Sequence, residues 1–325
     1  MRIKSAEFKY GLMLAPMAGY TDGAMRRVCH TLGAELCVTE MVSAKAVTFG
    51  DKKTFELAKI REGEGPVAVQ IFGSEPEIMA RAAERLSRGE PGGLPPVAID
   101  INMGCPVNKI FANGDGSALM RDPDLIYRIV GAVSQSTDLP VTVKIRAGVD
   151  AASKNAVECA LAAESAGASL ISVHGRTRAE MYSGKADLEI VKQVKSRLNI
   201  PVVANGDIVD AESARNALDF TGADGVMVGR GAIGNPFVFS EIMAALSGEP
   251  YTPPTMRDRV ETALLQLRLT IEQKGEEVAV RESRKQIALY LRSFGGAARI
   301  RAAVNVANSY REVEEALFSA LREDL

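Results

Sequence analysis

The sequence predicts a (β/α)8 barrel followed by a small all-α helical bundle. Eight short apolar runs alternate with amphipathic stretches across residues 1–247. The runs are apolar along their length, as strands covered on both faces of a parallel sheet must be. After a Pro/Gly-rich break at 248–254 the pattern turns to helix alone. Eight strand–helix units close a barrel rather than extend an open sheet. The chain of 325 residues is long enough for such a barrel and a smaller domain.

The predicted strands are Leu12–Leu14, Leu36–Val38, 67–71, 97–101, 141–145, 170–173, 202–204 and Gly225–Val228. Between them, helices are predicted at 77–86, 125–133, 156–166, 188–198 and 211–218. The second unit is the least defined, because residues 40–60 carry only a weak helical period. The break at Gly248-Glu249-Pro250-Tyr251-Thr252-Pro253-Pro254 separates a barrel domain, 1–247, from a helical domain, 248–325. Helices are predicted there at 256–273, 278–294, 297–307 and 311–321, and helices without strands form a bundle.

Bulk composition excludes several classes. A hydrophobic content of 46% with 25% charged residues excludes a disordered chain. A net charge of −2 excludes a chain that binds nucleic acid through overall charge, so any such site is a local patch. One candidate is 281–301, where Arg281, Arg284, Lys285, Arg292, Arg299 and Arg301 face the single anion Glu282. It reads either as a solvated helix face or as a groove for an RNA backbone. The tail at 311–325 is acidic. Cys29, Cys37, Cys105 and Cys159 form no C-x-x-C pair and there is no histidine cluster, which argues against a disulfide framework or a metal site and for a reducing cytoplasm. Met1-Arg2-Ile3-Lys4-Ser5 lacks the apolar core of a signal peptide, and no apolar span is long enough to cross a membrane.

In a barrel the chemistry collects where strands end. Strand one ends in Ala15-Pro16-Met17-Ala18-Gly19, strand three in Gln70, and strand four in Asn102 and Cys105. Strand five ends in Lys144 and Arg146, and strand six in His174-Gly175-Arg176-Thr177-Arg178. Strands seven and eight end in Asn205-Gly206-Asp207 and Gly229-Arg230-Gly231. Glycine-bearing turns after strands seven and eight, followed by helix starts, make a barrel phosphate site to which Arg230 adds charge. Lys144, at the end of an apolar strand, can pair with a carboxylate, form a Schiff base or hold an electron-rich ring. His174 is a candidate ligand or a satisfied strand-end histidine, and His30 reads as structural. Cys105 is either a buried structural thiol or a group kept for chemistry. No carboxylate dyad, Ser-His-Asp set or metal triad emerges from these positions. Amide, lysine, histidine and phosphate donors together suit a flavin mononucleotide, with Gln70 at the polar ring edge, Lys144 against negative charge on the reduced ring, and Cys105 as an inferred proton source.

The strand-end motifs resemble those of the tRNA-dihydrouridine synthase family, most closely its bacterial B-type branch. They are Ala15-Pro16-Met17-Ala18-Gly19-Tyr20-Thr21-Asp22, Asn102-Met103-Gly104-Cys105-Pro106-Val107-Asn108-Lys109, Gly114-Asp115-Gly116-Ser117-Ala118-Leu119-Met120, Lys144-Ile145-Arg146, His174-Gly175-Arg176-Thr177-Arg178, Asn205-Gly206-Asp207 and Gly229-Arg230-Gly231. The resemblance runs from about residue 12 to 240 and implies a barrel that binds FMN, NADPH or NADH as reductant, and reduction of a D-loop uridine in tRNA to 5,6-dihydrouridine. It implies Cys105 as the proton donor to C5, and flavin contacts from Pro16, Met17, Ala18, Gln70, Lys144, His174, Asn205, Gly206, Asp207, Gly229 and Arg230. It implies that Asn102 and Arg176 lie near the uracil and that the helical domain, with Arg284 and Lys285, helps to hold tRNA; no obligate protein partner is implied. Arg146 and Arg178 could bind substrate phosphate or be structural. One departure is that Gln286 and Leu289 stand where the family commonly has His and Trp, and the chain has no Trp at all. The nearest alternative is an FMN barrel that reduces a free pyrimidine or enone; more distant ones are a Schiff-base aldolase using Lys144 and a non-catalytic RNA-binding protein.

Overall fold

The computed structural model describes residues 1–292 and 296–321. Phe294, the expected end of the helix 278–294, and residues 322–325 of the tail domain lie outside the described residues. The strands are β1 (Arg2–Ile3), β2 (Ala6–Glu7), β3 (Leu12–Leu14), β4 (Leu36–Val38), β5 (Val42–Ser43), β6 (Val67–Phe72), β7 (Ala98–Met103), β8 (Val141–Arg146), β9 (Leu170–His174), β10 (Val202–Asn205) and β11 (Gly225–Val228). Eight of them, β3, β4 and β6 to β11, pair in parallel, and the β4–β6 pairing closes the ring into a barrel. Each predicted run is one barrel strand. Several run one or two residues further than predicted, so Asn102, Arg146, His174 and Asn205 are strand residues rather than loop residues.

Side chains alternate across a strand, and this period sorts the barrel interior into layers. Ile99, Ile101 and Met103 point outward into the main core under the helices. Met13, Leu36, Ala68, Ala98, Leu170, Val203 and Met227 point inward and form an apolar floor, plugged from below by Ile3 and Phe8 beside the β1–β2 hairpin. Gln70, Asp100, Asn102, Thr142, Ser172, His174 and Asn205 continue the inward rows toward the strand ends and are all buried. The floor is closed by hydrocarbon and the upper layer is polar. Gly11, at φ +65, precedes β3 where a Cβ would lie 2.6 Å from the carbonyl oxygen of Asp224, so the ring closes there only around glycine.

The outer helices are α1 (Gly23–Thr31), α2 (Ala44–Thr48), α3 (Lys52–Ala58), α4 (Pro76–Ser87), α5 (Asn108–Ala112), α6 (Pro123–Ser136), α7 (Ala156–Ser165), α8 (Leu188–Arg197), α9 (Ala211–Thr221) and α10 (Val238–Ser247). The weak signal at 40–60 has a physical cause. That unit carries the extra strand β5 beside β6 and two short helices, each started by its own cap, Ser43 and Asp51. Neither helix is long enough to show a 3.6-residue period.

After the Pro-rich break come α11 (Met256–Lys274), α12 (Glu276–Ile287), α13 (Ala297–Val306) and α14 (Tyr310–Leu321). Thr255 and Asp258 start α11 with a reciprocal capping box. Helix α12 ends earlier than expected and tightens into a 3-10 turn, Ala288–Leu291. These helices share a hydrophobic cluster built on Val260, Leu267, Val280, Ile287, Val304 and Leu317. Helix α11 also packs on the barrel, with Leu269 against Ala24 and Val28 of α1 and Lys274 Nζ 3.2 Å from Asp22.

One buried ion pair fixes the loop after β3. Arg26 of α1 lies 2.6 Å from Glu64, and both side chains are 1% exposed. The guanidinium also donates to the carbonyls of Thr21 and Lys59. Thr21 in turn accepts from the Met17 amide. Removing one member of a buried pair strands the other charge and costs about 3–5 kcal/mol. Arg26→Met should lower folding stability by about that amount in denaturant unfolding, while Arg26→Met with Glu64→Met loses less. Equal losses in the two variants would contradict the pairing.

Candidate active site

The polar layer forms the floor of a cavity of about 1510 Å³ at the strand ends, roofed by Pro254, Met256, Arg259 and the turn from Leu289 to Arg292. That is ample for a nucleotide-sized ligand. All eleven residues expected to contact a flavin line it: Pro16, Met17 and Ala18 after β3, Gln70, Lys144, His174, Asn205, Gly206 and Asp207, and Gly229 and Arg230 after β11. Asn102, Cys105 and Arg146 line it too.

Lys144 donates to Asn205 Oδ1 at 2.9 Å, and Asn205 donates its own amide to the carbonyl of Met227. Burial, and then the charge of Arg146, lower the Lys144 pKa to about 7, with Asp100 opposing. Its ammonium is thus poorly compensated and ready for an anionic ligand atom. Burial, followed by the charges of Lys144, Arg146, Arg176 and Arg230, lowers His174 to about 2. The imidazole is neutral, a hydrogen-bonding group rather than a charge. At the other end Arg230 is exposed beside Gly229, whose missing Cβ would face Ala15 and Met17 at 3.6 and 3.8 Å. Gly206, at φ +118, has no room for a side chain, since a Cβ would lie 2.7 Å from that of Ala186.

Cys105 is 7% exposed, and burial raises its pKa, opposed by the Val107 amide and Arg146. The thiol is therefore protonated at neutral pH. Its loop is held at both ends. The Cys105 amide donates to Asn102 Oδ1 at 2.9 Å, and the Cys105 carbonyl accepts from the Ser117 hydroxyl at 2.7 Å. The Gly114-Asp115-Gly116 stretch is explained here. Gly116 sits at φ +61, and a Cβ on it would lie 3.0 Å from that of Cys105.

The arginines divide between the cavity and the loops around it. Arg146 reaches the cavity, but it donates to the carbonyls of Gly104, Thr177 and Met181, joining the Cys105 loop to the loop after β9. Arg176 does not line the cavity. It is 2% exposed and committed to the carbonyls of Ser183 and Gly184 and to both oxygens of Asp207. It holds the loop that carries Tyr182 at the cavity wall. Asp207 accepts from Arg176, from the Ala186 amide and, at 3.4 Å, from Arg230, so its carboxylate orients cations. Arg178 donates to Asn108 and stacks on Phe111, outside the cavity lining. Arg284 is spent on the Ala307 carbonyl and Asn308 at the end of α13. Lys285 lies over the ring of Tyr20, 4.5 Å from its centroid, and Tyr20 lines the cavity.

The turns after β10 and β11 do not run straight into long helices. Beyond Gly206 the chain passes through Asp207, Ile208, Val209 and Asp210 before α9 begins at Ala211. The Ser213 amide of that helix is taken by Asp210 in a capping box, and the Ala211 amide by Glu241. After β11 there is only a 3-10 turn, Arg230–Ala232. At this end of the cavity the lining is made by the glycine turns and Arg230, ahead of the start of α9. Asp100, Thr142 and Tyr182 were missed by inspection of strand ends alone. A carboxylate inside the apolar run 97–101, two residues before Asn102 and so on the same face, is the signal that finds Asp100.

A family model described as dihydrouridine synthase matches residues 13–324. A relative from Pseudomonas putida named tRNA-dihydrouridine synthase B is 41% identical over 307 residues, 94% of this chain and 89% of the relative. One from Rickettsia conorii named probable tRNA-dihydrouridine synthase is 38% identical over 317 residues, 97% of this chain and 94% of the relative. The solved structure of morphinone reductase matches with a TM-score of 0.52 at 13% identity, covering 80% of this chain and 92% of that one, a likeness of fold alone.

The burial of His174 makes a spectroscopic prediction. With only two histidines in the chain, its ring resonances are readily assigned. In flavin-free protein they should stay at neutral positions from about pH 8 to about pH 5, where an ordinary imidazole titrates. A midpoint near the ordinary value would contradict the electrostatics described.

Proposed function

The chain belongs to the dihydrouridine synthase family, and from that membership we propose that it reduces a D-loop uridine of tRNA to 5,6-dihydrouridine, with FMN bound in the barrel and NADPH or NADH as reductant. The observation that carries the reading is that one cavity is lined by both a protonated, buried thiol, Cys105, and an under-compensated lysine, Lys144. The residues present fit a flavin. Gln70, Lys144 and Asn205 offer amide and ammonium groups for a polar ring edge, His174 offers a neutral imidazole, and the turns at Gly206 and Gly229 with Arg230 line the end that would take a phosphate. Pro16, Met17 and Ala18 give the cavity an apolar wall.

The bound flavin would supply a hydride to C6 of the uracil. The remaining steps belong to the chain. The Cys105 thiol gives its proton to C5, which its raised pKa suits, because a nucleophilic cysteine needs the opposite tuning. Lys144 keeps its proton when an anionic atom arrives beside it, restoring the charge that burial suppresses. Asn102, which lines the cavity, would orient the base, while Arg146 and Arg176 hold loops. The uracil must leave its stack to enter so enclosed a site. The tail helices, with Lys285 against Tyr20 and the exposed Arg281 and Arg292, would contact the RNA backbone. No helix among the described residues is long and apolar enough to cross a membrane. The four free, buried cysteines suit a cytoplasmic protein.

Expression in a strain lacking all such synthases, followed by mapping of dihydrouridine across its tRNAs, tests the reading. Restoration at a D-loop position is expected, and restoration at no position would overturn it. Cys105→Ala should retain flavin binding and NADPH oxidation while uridine reduction falls by about 10²–10⁴-fold, the usual worth of a positioned acid. Unchanged dihydrouridine formation in that variant would reject the proton-donor role.

A further inference from the structure

The polar layer contains a directed chain of hydrogen bonds that begins at a residue outside the cavity lining. Asp100 stands in register between Gln70 on β6 and Thr142 on β8. One carboxylate oxygen accepts from the Thr142 hydroxyl, and the other accepts from Gln70 Nε2 at 2.6 Å. Gln70 Oε1 accepts from Asn102 Nδ2 at 2.8 Å. Asn102 Oδ1 then accepts from the backbone amides of Gly104 and Cys105, at 3.2 and 2.9 Å. Every member is buried.

We propose that Asp100 is a positioning residue for the reaction described above: it fixes which way round the amides of Gln70 and Asn102 sit, and so holds the backbone of the Cys105 loop. An amide has nearly the same shape either way round, so its partners decide its orientation. An ionised carboxylate only accepts. It therefore compels Gln70 to turn its NH2 inward and its oxygen toward Asn102. Asn102 must then answer with its own NH2, which leaves its oxygen for the two loop amides. The opposite orientation would set an NH2 group against two N–H donors. Burial raises Asp100 to about 6, with the Thr142 and Gln70 hydrogen bonds and Lys144 opposing, so the ionised form predominates at neutral pH, in keeping with two oxygens that both accept. The carboxylate thus acts on Cys105 through two intermediates without touching substrate.

The role in catalysis rests on the proposed function, but the orientation itself can be read without it. Asp100→Asn keeps the shape and removes the acceptor-only character, since the new amide can turn either way against a hydroxyl that donates or accepts. Gln70→Glu combined with Asp100→Asn puts the carboxylate one link along. There it accepts from the amide introduced at position 100 and from that of Asn102, and so restores the orientation of Asn102. Backbone amide exchange at Gly104 and Cys105 is followed by NMR on flavin-free protein. In Asp100→Asn both amides should exchange at least about tenfold faster, with kcat for uridine reduction about tenfold lower and KM for tRNA within about threefold of wild type. In the double variant exchange should return to within about threefold of wild type. Wild-type exchange in Asp100→Asn, unchanged kcat despite faster exchange, fast exchange in the double variant, or failure of the double variant to fold would each overturn the proposal. If Asp100→Asn does not fold, the double variant decides alone. If wild-type protein reduces no uridine, the functional reading fails and the exchange comparison still decides the orientation.

Discussion

In a closed parallel barrel every second residue of every strand faces an interior that water does not fill. That constraint governs the rest of this structure. Hydrocarbon satisfies it in the lower layer, where Met13, Leu36 and Met227 meet the plug of Ile3 and Phe8. In the upper layer polar groups replace hydrocarbon, and each must find partners across the ring or cost free energy. Asp100 finds Thr142 and Gln70, Gln70 finds Asn102, and Lys144 finds Asn205. Lys144 is the least well served of these, and its lowered pKa records that shortfall.

The strands were legible because burial on both faces leaves a local mark, a continuous apolar run. Their ends were less so, because a strand such as β7 continues through polar residues that face inward, Asn102 among them. The cavity-lining residues were legible for a related reason, since a barrel brings the ends of consecutive strands together whatever lies between them. Arg176 and Arg284 were not. What Arg176 does depends on Ser183, Gly184 and Asp207, and what Arg284 does depends on Ala307 and Asn308. Those partners are set by loop conformations that no periodicity announces. A cation near a site motif reads as a phosphate ligand until its hydrogen bonds are known.

The junction between tail and barrel was equally hidden. Gln286 and Leu289 depart from the pattern that the motifs suggest, and the structure gives each a defined place. Leu289 packs on Gly234, where a Cβ would lie 2.6 Å from its own, and it lines the cavity roof. Gln286 is buried and reaches the carbonyls of Gly19 and Tyr20, in the turn that carries the apolar cavity wall. At these two positions the helical tail meets the site from above, once through an apolar contact and once through a polar one.

That polar contact is one end of a short chain. The Tyr290 hydroxyl donates to Gln266 Oε1 at 2.6 Å, and Gln266 Nε2 donates to Gln286 Oε1 at 2.8 Å. All three side chains are buried, and each one's donor is the next one's answer. Replacing a single member strands its neighbour in an environment without water. The three positions thus form one energetic unit at the joint between the two halves of the chain: the effect of changing one depends on the other two, so their substitutions do not add.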